Sequence, residues 1–214
     1  MTAIRAAVAR GPGAPFSVED AQLDEPRDDE VLVRMVAAGI CHTDLLTQHR
    51  HPGPIVLGHE GAGVVERIGA RAGGLTPGDH VLLSFRSCRD CASCAAGRPA
   101  SCERMDVLNA GGLRPDGTPT VRDRDGTPVA ASFFGQSSFA TRALASASNA
   151  VRVDPSVDLV TAAPLGCSVQ TGAGAVLEVL GPPPGSSLAV FGAGAVGLCA
   201  VMAAHAIGLE EIVV

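Results

Sequence analysis

The sequence of 214 residues is long enough for one or two domains with a sizeable apolar core. Its formal net charge of -6 argues against a basic surface for nucleic acid or for an anionic membrane. No secretory segment is present, so the 7 cysteines are expected to be reduced, in the cytoplasm. The segment Met1–Ser17 is basic, as transit peptides are, but the alternation of Ile4, Ala6 and Val8 favours a first β-strand.

The rest of the first half of the chain reads as short strands separated by turns. Three further strands are predicted by their apolar, β-branched composition: Glu30–Val36, Gly61–Ile68 and Val81–Leu83. A turn at Pro77–His80 precedes the last of them. The segment Gly111–Gly126 is rich in Gly, Pro, Asp and Arg, so it predicts an exposed loop or a hairpin.

From Pro155 onwards the pattern changes and predicts helices. Asp154 or Ser156 is a candidate N-cap for a helix that runs towards Pro164. A second helix is predicted over Cys167–Leu180, because the Gly- and Pro-rich run that follows cannot continue a helix.

A βαβ unit is predicted at the end of the sequence. It comprises a buried strand at Ser187–Phe191, a glycine turn, a helix to about Gly208 and a strand at Glu211–Val214. The turn has the Gly-x-Gly-x-x-Gly spacing of dinucleotide-binding proteins, with glycines at Gly192, Gly194 and Gly197.

The same region allows a second interpretation. The run Leu188–Leu209 contains no Asp, Glu, Lys or Arg, only His205, and is long enough to span a membrane. Its three glycines weaken a continuous helix, so the buried strand, turn and helix are favoured and a membrane anchor remains the minor alternative.

Four closely spaced cysteines, Cys88, Cys91, Cys94 and Cys102, are the most informative feature of the chain. Two residues separate each neighbouring pair up to Cys94, so the thiolates can converge on one small volume. Four thiolates match the tetrahedral demand of a closed structural zinc site. The alternative, a pair of disulfides, is disfavoured without a secretory signal.

A second set of candidate ligands is spread along the chain. Cys41 opens the motif Cys-His-Thr-Asp, and His59 lies in the motif Gly-His-Glu-Gly-Ala-Gly. One His with two Cys is a known ligand set for a catalytic zinc with an open position. Spacing alone cannot pair such distant residues, and a single Cys or His is more often an ordinary core residue.

Taken together, these motifs resemble the zinc-dependent medium-chain alcohol dehydrogenases. The resemblance covers essentially the whole chain in the family's order, and six of the seven cysteines fall on family zinc positions. The segments Phe133–Ala140 and Leu165–Gly174 are most similar to the aryl-alcohol (benzyl-alcohol) branch.

The resemblance implies a mixed α/β fold with a β-rich part. Residues 1–153 would form a GroES-like zinc-binding catalytic domain, and residues 154–214 would form an incomplete NAD(P)-binding Rossmann domain. Val214 precedes the position where the acidic ribose ligand of such a domain is expected. The sequence is therefore interpreted as a truncated dehydrogenase that would bind zinc but show little turnover alone.

Two zinc ions per chain are implied, one structural on the four-cysteine cluster and one catalytic on Cys41, His59 and Cys167. The cofactor would be NAD, with NADP not distinguished, bound by His42 and the three glycines of the turn. Cys199 would be an inert residue of the apolar helix.

The resemblance also assigns catalytic roles. Thr43 would take the alcohol proton, Asp44 would accept a hydrogen bond from His59 or cap the following helix, and Glu60 would be a transient zinc ligand. Leu46 occupies the position where many members have the histidine that ends the proton relay. Leucine cannot transfer a proton, so water would replace that last step.

The pocket residues Phe85, Phe133 and Phe134 would suit a flat, apolar alcohol. The implied reaction moves hydride between a primary, aromatic alcohol and the nicotinamide and gives the aldehyde. The complete enzyme would be a homodimer or homotetramer without nucleic-acid or membrane partners. The alternative is a catalytically silent zinc-binding fragment with a structural or regulatory role.

Overall fold

The computed structural model describes residues 1–214, which form two compact units, Met1–Ala163 and Pro164–Val214. The first unit is built from two five-stranded sheets. Its strands, in chain order, are β1 (Thr2–Ala9), β2 (Phe16–Leu23), β3 (Glu30–Gly39), β4 (Ile55–Val56), β5 (Glu60–Ile68), β6 (His80–Leu83), β7 (Val121–Asp123), β8 (Pro128–Val129), β9 (Arg142–Ser146) and β10 (Ala150–Val153).

One sheet has the order β4-β1-β2-β7-β8, and all its pairs are antiparallel. The predicted first strand is confirmed, and Ile4, Ala6 and Val8 point from it into the core because side chains alternate along a strand. The segment Gly111–Gly126 begins as a loop and ends in the first strand and turn of a hairpin, since β7 pairs with β8 beyond it. Arg114 in this segment is nevertheless buried.

The other sheet has the order β10-β6-β5-β3-β9. Its three predicted strands are confirmed as β3, β5 and β6, and their inward residues form an apolar cluster that includes Val33, Val65 and Val81. Because β5 lies between β3 and β6, Ala62–Val64 are held by pairing on both sides, whereas Glu60 at the start of β5 pairs with β3.

Four short helices complete the first unit: α1 (His42–Arg50), α2 (Ala92–Ala95), α3 (Met105–Asn109) and α4 (Leu159–Ala162). The helix predicted before Pro164 is therefore present, but neither Asp154 nor Ser156 caps it. The carboxylate of Asp158 accepts from the backbone N–H groups of Val160 and Thr161. Asp154 instead accepts from Ser156 and closes its own turn.

The second unit contains α5 (Ser168–Gly174), a π-helix at Ala175–Leu180, β11 (Ser187–Ala189), α6 (Ala195–Ala206) and β12 (Glu211–Val213). The helix predicted to end at Leu180 is confirmed, and Gly181 ends it with a φ of 50°. Strands β11 and β12 pair in parallel through α6, which confirms the βαβ unit.

The strand predicted to be buried at Ser187–Phe191 is wrong in length and in burial. It ends at Ala189, its residues are exposed or half-buried, and Phe191 is fully exposed. The reason is that β11 has one neighbouring strand in a two-stranded sheet, so most of its surface is uncovered. No helix of the chain is long and apolar enough to cross a membrane.

Candidate functional site

The four cysteines of the segment 88–104, here called the cysteine lobe, converge as predicted. All four Sγ atoms lie within 4.8 Å of one another. Cys88 Sγ lies 3.8 Å from Cys94 Sγ and 3.5 Å from Cys102 Sγ, and no cysteine of the chain forms a disulfide. The disulfide alternative is therefore wrong for this structure.

The donor set of the cysteine lobe fits zinc. Four sulfurs at the usual Zn–S distance of about 2.3 Å define a tetrahedron with edges of about 3.8 Å, close to the separations found here. Backbone N–H groups also point at the sulfurs: Cys88 donates to Cys102 Sγ, and Cys91 donates to Cys88 Sγ, both at 3.4 Å. Such donors stabilise thiolates.

The surroundings of the four thiols raise the pKa values of two and lower those of the other two. The backbone N–H of Glu103 lowers the pKa of Cys91 to about 6, and the backbone N–H of Cys88 lowers the pKa of Cys102. A hydrogen bond with Asp90 raises the pKa of Cys88 to about 12, and desolvation raises the pKa of Cys94. Close thiolates repel, and a divalent cation would relieve that repulsion.

A second cluster of ligand atoms forms in the first unit around His59. Cys41 precedes α1, His59 precedes β5, and Glu60 is the first residue of β5. Their ligand atoms lie within 4.8 Å of one another. His59 and Glu60 are both buried, whereas Cys41 is half-buried. Sulfur and imidazole nitrogen beside a carboxylate form a donor set suited to zinc.

Asp44 organises this cluster. Its Oδ1 lies 2.9 Å from His59 Nδ1 and accepts from the Gly58 N–H at 3.0 Å, while its Oδ2 accepts from the Cys41 N–H at 3.0 Å. Both predicted contacts are therefore confirmed: the carboxylate caps α1 and bonds the imidazole. A carboxylate at Nδ1 favours the tautomer with a proton on Nδ1, which leaves the Nε2 lone pair for a metal.

Two of the three predicted phenylalanines contact the His59 ring. Phe134 stacks on it with ring centroids 4.6 Å apart, and Phe133 meets it edge-on at 5.6 Å. Phe134 adopts a φ of 51°, which is uncommon for a residue with a bulky side chain. Phe85 is half-buried in the segment after β6.

The remaining predicted residues of the first unit lie on α1. His42 and Thr43 are exposed in its first turn, and Leu46 is exposed on the next. His49 Nδ1 lies 2.8 Å from the Leu45 carbonyl oxygen of its own helix, so that ring is occupied locally. The exposed hydroxyl of Thr43 is open to solvent water.

In the second unit, Cys167 is half-buried immediately before α5. The turn before α6 contains Gly192, which has a φ of 108°, and Gly194, the N-cap. A Cβ on Gly197 would overlap the Gly192 carbonyl oxygen, so this turn needs glycine. Cys199 is half-buried in α6 rather than fully buried as core.

Two buried polar residues were not predicted. Arg114 donates to Glu30 at 2.8 Å and to Asp24 at 2.8 Å, and Gln136 is wholly buried beside His59. Gln136 lies in the segment Phe133–Ala140 that resembles the aryl-alcohol branch, but the resemblance assigns it no role, and Arg114 lies in no ligand or catalytic motif. Their positions follow from sheet closure alone.

Comparison with known proteins agrees with this geometry. Residues 27–155 match the family described as Alcohol dehydrogenase GroES-like domain. The geraniol dehydrogenase of Castellaniella defragrans is 48% identical over 212 residues, which are 98% of this chain and 57% of that protein.

Two solved structures are also similar. An alcohol dehydrogenase zinc-binding domain protein from Burkholderia ambifaria matches with a TM-score of 0.96 and 52% identity. The benzyl alcohol dehydrogenase of Acinetobacter calcoaceticus matches with a TM-score of 0.94 and 42% identity. Each match covers 99% of this chain and 58% of the other, so the chain spans somewhat more than half the length of these relatives. The chain belongs to the alcohol dehydrogenase family with a GroES-like domain, and its resemblance to the zinc-dependent medium-chain members is confirmed.

Proposed function

We propose that this chain serves a zinc-dependent oxidoreductase, which moves hydride between a primary, aromatic alcohol and a nicotinamide cofactor and gives the aldehyde. The observation that carries the proposal is the buried cluster of Cys41, His59 and Glu60, with His59 oriented by Asp44. A buried carboxylate–imidazole pair beside a thiol is the arrangement of a metal site rather than of ordinary core packing.

The zinc ligands would be Cys41, His59 and Cys167 at the catalytic site and the four thiolates of the cysteine lobe at the structural site. When bound with an open position, zinc polarises a substrate oxygen as a Lewis acid, and the nicotinamide carries the hydride. Cys167 is included on the resemblance, and its half-buried thiol is compatible with that role.

The side chains around the site would orient groups and move a proton. Asp44 would hold the imidazole of His59 and keep the proton on Nδ1. Thr43 Oγ1 would accept the alcohol proton and pass it to water, because the residue is exposed and the neighbouring Leu46 cannot take part. Glu60 would remain close to the metal as a transient ligand.

The substrate class is supported by the aromatic residues at His59. Phe133 and Phe134 meet the imidazole from two directions, and Phe85 would complete an apolar wall. The names of two relatives concern geraniol and benzyl alcohol, both primary alcohols with an adjacent unsaturated carbon. We propose that this chain belongs to an enzyme that acts on primary alcohols of the same kind.

The cofactor would be NAD or NADP, bound at the turn of Gly192, Gly194 and Gly197 with His42 near the pyrophosphate. The N-terminus of α6 offers backbone N–H groups to a phosphate. We also propose that the complete protein is a cytoplasmic homodimer or homotetramer. Within this chain, the proposed domain boundary lies between residues 153 and 154.

Metal analysis combined with cobalt spectroscopy tests the proposal. The purified chain should contain two zinc ions, and His59→Ala should leave one. In the cobalt-substituted chain, benzyl alcohol should change the visible spectrum, because an open coordination position can accept its oxygen. Two bound metals without any response to alcohols or aldehydes would contradict the enzymatic role and favour a silent zinc-binding protein.

A further inference from the structure

Gln136 is a wholly buried polar side chain near the metal cluster, with an exposed fraction of 0%, as Asp44 has. We infer that Gln136 is a positioning residue for the zinc ligand His59, an inference that rests on the proposed function. The amide does not touch the imidazole. It acts on the backbone from which the imidazole projects.

Three hydrogen bonds define this role. Gln136 Nε2 donates to the His59 carbonyl oxygen at 2.9 Å and to the Ser84 carbonyl oxygen at 3.3 Å, and Oε1 accepts from the Gly61 N–H at 3.1 Å. The amide therefore binds the backbone on both sides of Glu60. Its oxygen accepts and its nitrogen donates, as the C=O and N–H groups of a neighbouring strand would.

The amide takes the place of a missing strand partner. The ladder between β5 and β6 covers Ala62 to Val64, and β6 ends at Leu83. On the opposite side of β5, β3 continues to pair as far as Glu60. At the point where β6 leaves β5, Gln136 supplies to His59 and Gly61 the bonds that the ladder no longer provides.

Other contacts hold the imidazole ring itself. Asp44 bonds Nδ1, and Phe133 and Phe134 pack against the ring. The phenylalanines belong to the same turn as Gln136, and Ser137 Oγ ties that turn to the Val56 carbonyl oxygen at 2.6 Å. One turn thus sets both the backbone and the ring of the ligand, which fixes the direction of the Nε2 lone pair.

The variant Gln136→Met tests the inference, since methionine has a similar length and forms none of these bonds. Zinc release is titrated with a chromophoric chelator, and the step that disappears in His59→Ala identifies the His59 site. We expect Gln136→Met to weaken that step about 10- to 100-fold, the range typical of lost outer-shell contacts, with release from the cysteine lobe unchanged. The thiolate bands of cobalt at the His59 site should shift in the same variant.

Asn109→Leu is the matched control. Asn109 is also a buried amide, and it accepts from the Arg86 N–H and donates to the Arg86 carbonyl oxygen, both at 2.9 Å. Its loss should lower Tm and leave the affinity of the His59 step within about twofold of the unaltered chain, because these bonds reach neither His59 nor the turn of Phe133 and Phe134. Equal weakening in both variants would show a general structural effect and overturn the inference.

A lowered Tm with unchanged metal affinity in Gln136→Met would also overturn it. If that variant does not fold, Gln136→Leu is a second apolar variant of similar volume that forms none of these bonds. It should weaken the same step, and unchanged affinity there would again refute the role. An unaltered chain without any His59-dependent step would instead refute the proposed function, and the inference with it.

Discussion

The cysteine lobe and the His59 cluster hold candidate metal ligands in opposite ways. Within residues 88–104, Cys102 alone is buried, and the lobe has no apolar core of its own. The His59 cluster lies between paired strands, where Asp44, Gln136 and two phenylalanines surround one imidazole. We therefore expect the lobe to depend on a metal for its shape, whereas the protein imposes the geometry of the His59 cluster.

The largest expected effect comes from the lobe. The variant Cys94→Ser should bind one zinc ion instead of two, and its cysteine lobe should unfold. Structural zinc contributes on the order of 10 kcal/mol to the folding free energy of small zinc domains. Limited trypsin digestion should then cleave after Arg89 or Arg104. Cys167→Ser should lose the other zinc and remain resistant to trypsin.

Cys199→Ser is the control for these two variants, because Cys199 lies outside both clusters. It should retain two zinc ions and full trypsin resistance. If Cys94→Ser and Cys167→Ser unfolded the chain equally, the proposed contrast between a metal-dependent lobe and a protein-imposed site would be wrong.

The next largest effect should come from Asp44. Asp44→Asn loses the carboxylate that bonds His59, Gly58 and Cys41. Each hydrogen bond to a charged group is worth about 1.5–3 kcal/mol, so we expect a loss of about 3–5 kcal/mol. Denaturant unfolding measures this loss, and chelator competition should show weaker metal binding at the His59 site alone. Asp106→Asn, an exposed change in the first turn of α3, should alter neither quantity.

A smaller effect is expected at Gly39, which pairs with Glu60. A Cβ at this position would overlap the Glu60 carboxylate, so Gly39→Ala should cost about 1–3 kcal/mol and displace the carboxylate. A Cβ on Gly53 meets nothing within 4 Å, so Gly53→Ala is the control. Equal Tm values for the two variants would show that Glu60 is free to move.

The smallest effect should come from an ion-pair network away from both clusters. Hydrogen bonds from Arg10 lower the pKa values of Glu19 and Asp123 from their ordinary 4.5 and 3.8. Carboxylates with lowered pKa values stabilise the fold above their unfolded-state pKa, and this stabilisation is lost as the pH falls through the folded-state pKa.

Arg10→Gln should therefore reduce the free energy of unfolding at pH 7 by less than any change above, because the guanidinium of Arg10 is exposed to water. The difference from the unaltered chain should shrink as the pH falls below about 4. Paired urea titrations at each pH measure it, and added salt should reduce it. A difference that grows in acid would contradict the assigned direction.

The sequence predicted the features that depend on local spacing. The cysteine lobe follows from cysteines close together in the chain, and the βαβ unit follows from three glycines between apolar runs. The Asp44–His59 bond came from the family resemblance, because residues 15 positions apart cannot be paired by spacing alone.

Features that depend on sheet closure escaped prediction. Gln136 reaches His59 across 77 positions, and Arg114 reaches Glu30 across 84. The N-cap of α4 was predicted wrongly because Asp154 and Asp158 are equally good cap residues. The packing of α4 decides between them. The exposure of β11 reflects the number of strands beside it, which the local sequence does not encode.

The same separations have a consequence for the order in which the metals are acquired. Cys88 and Cys102 are 14 positions apart, so the loop between them closes at little entropic cost, and zinc can be captured while synthesis continues. The backbone of His59 becomes fixed only after Gln136 has been synthesised and the central sheet has formed. When zinc is scarce, we therefore expect newly made chains to bind zinc at the cysteine lobe first, and at the buried His59 site only after the sheet has formed.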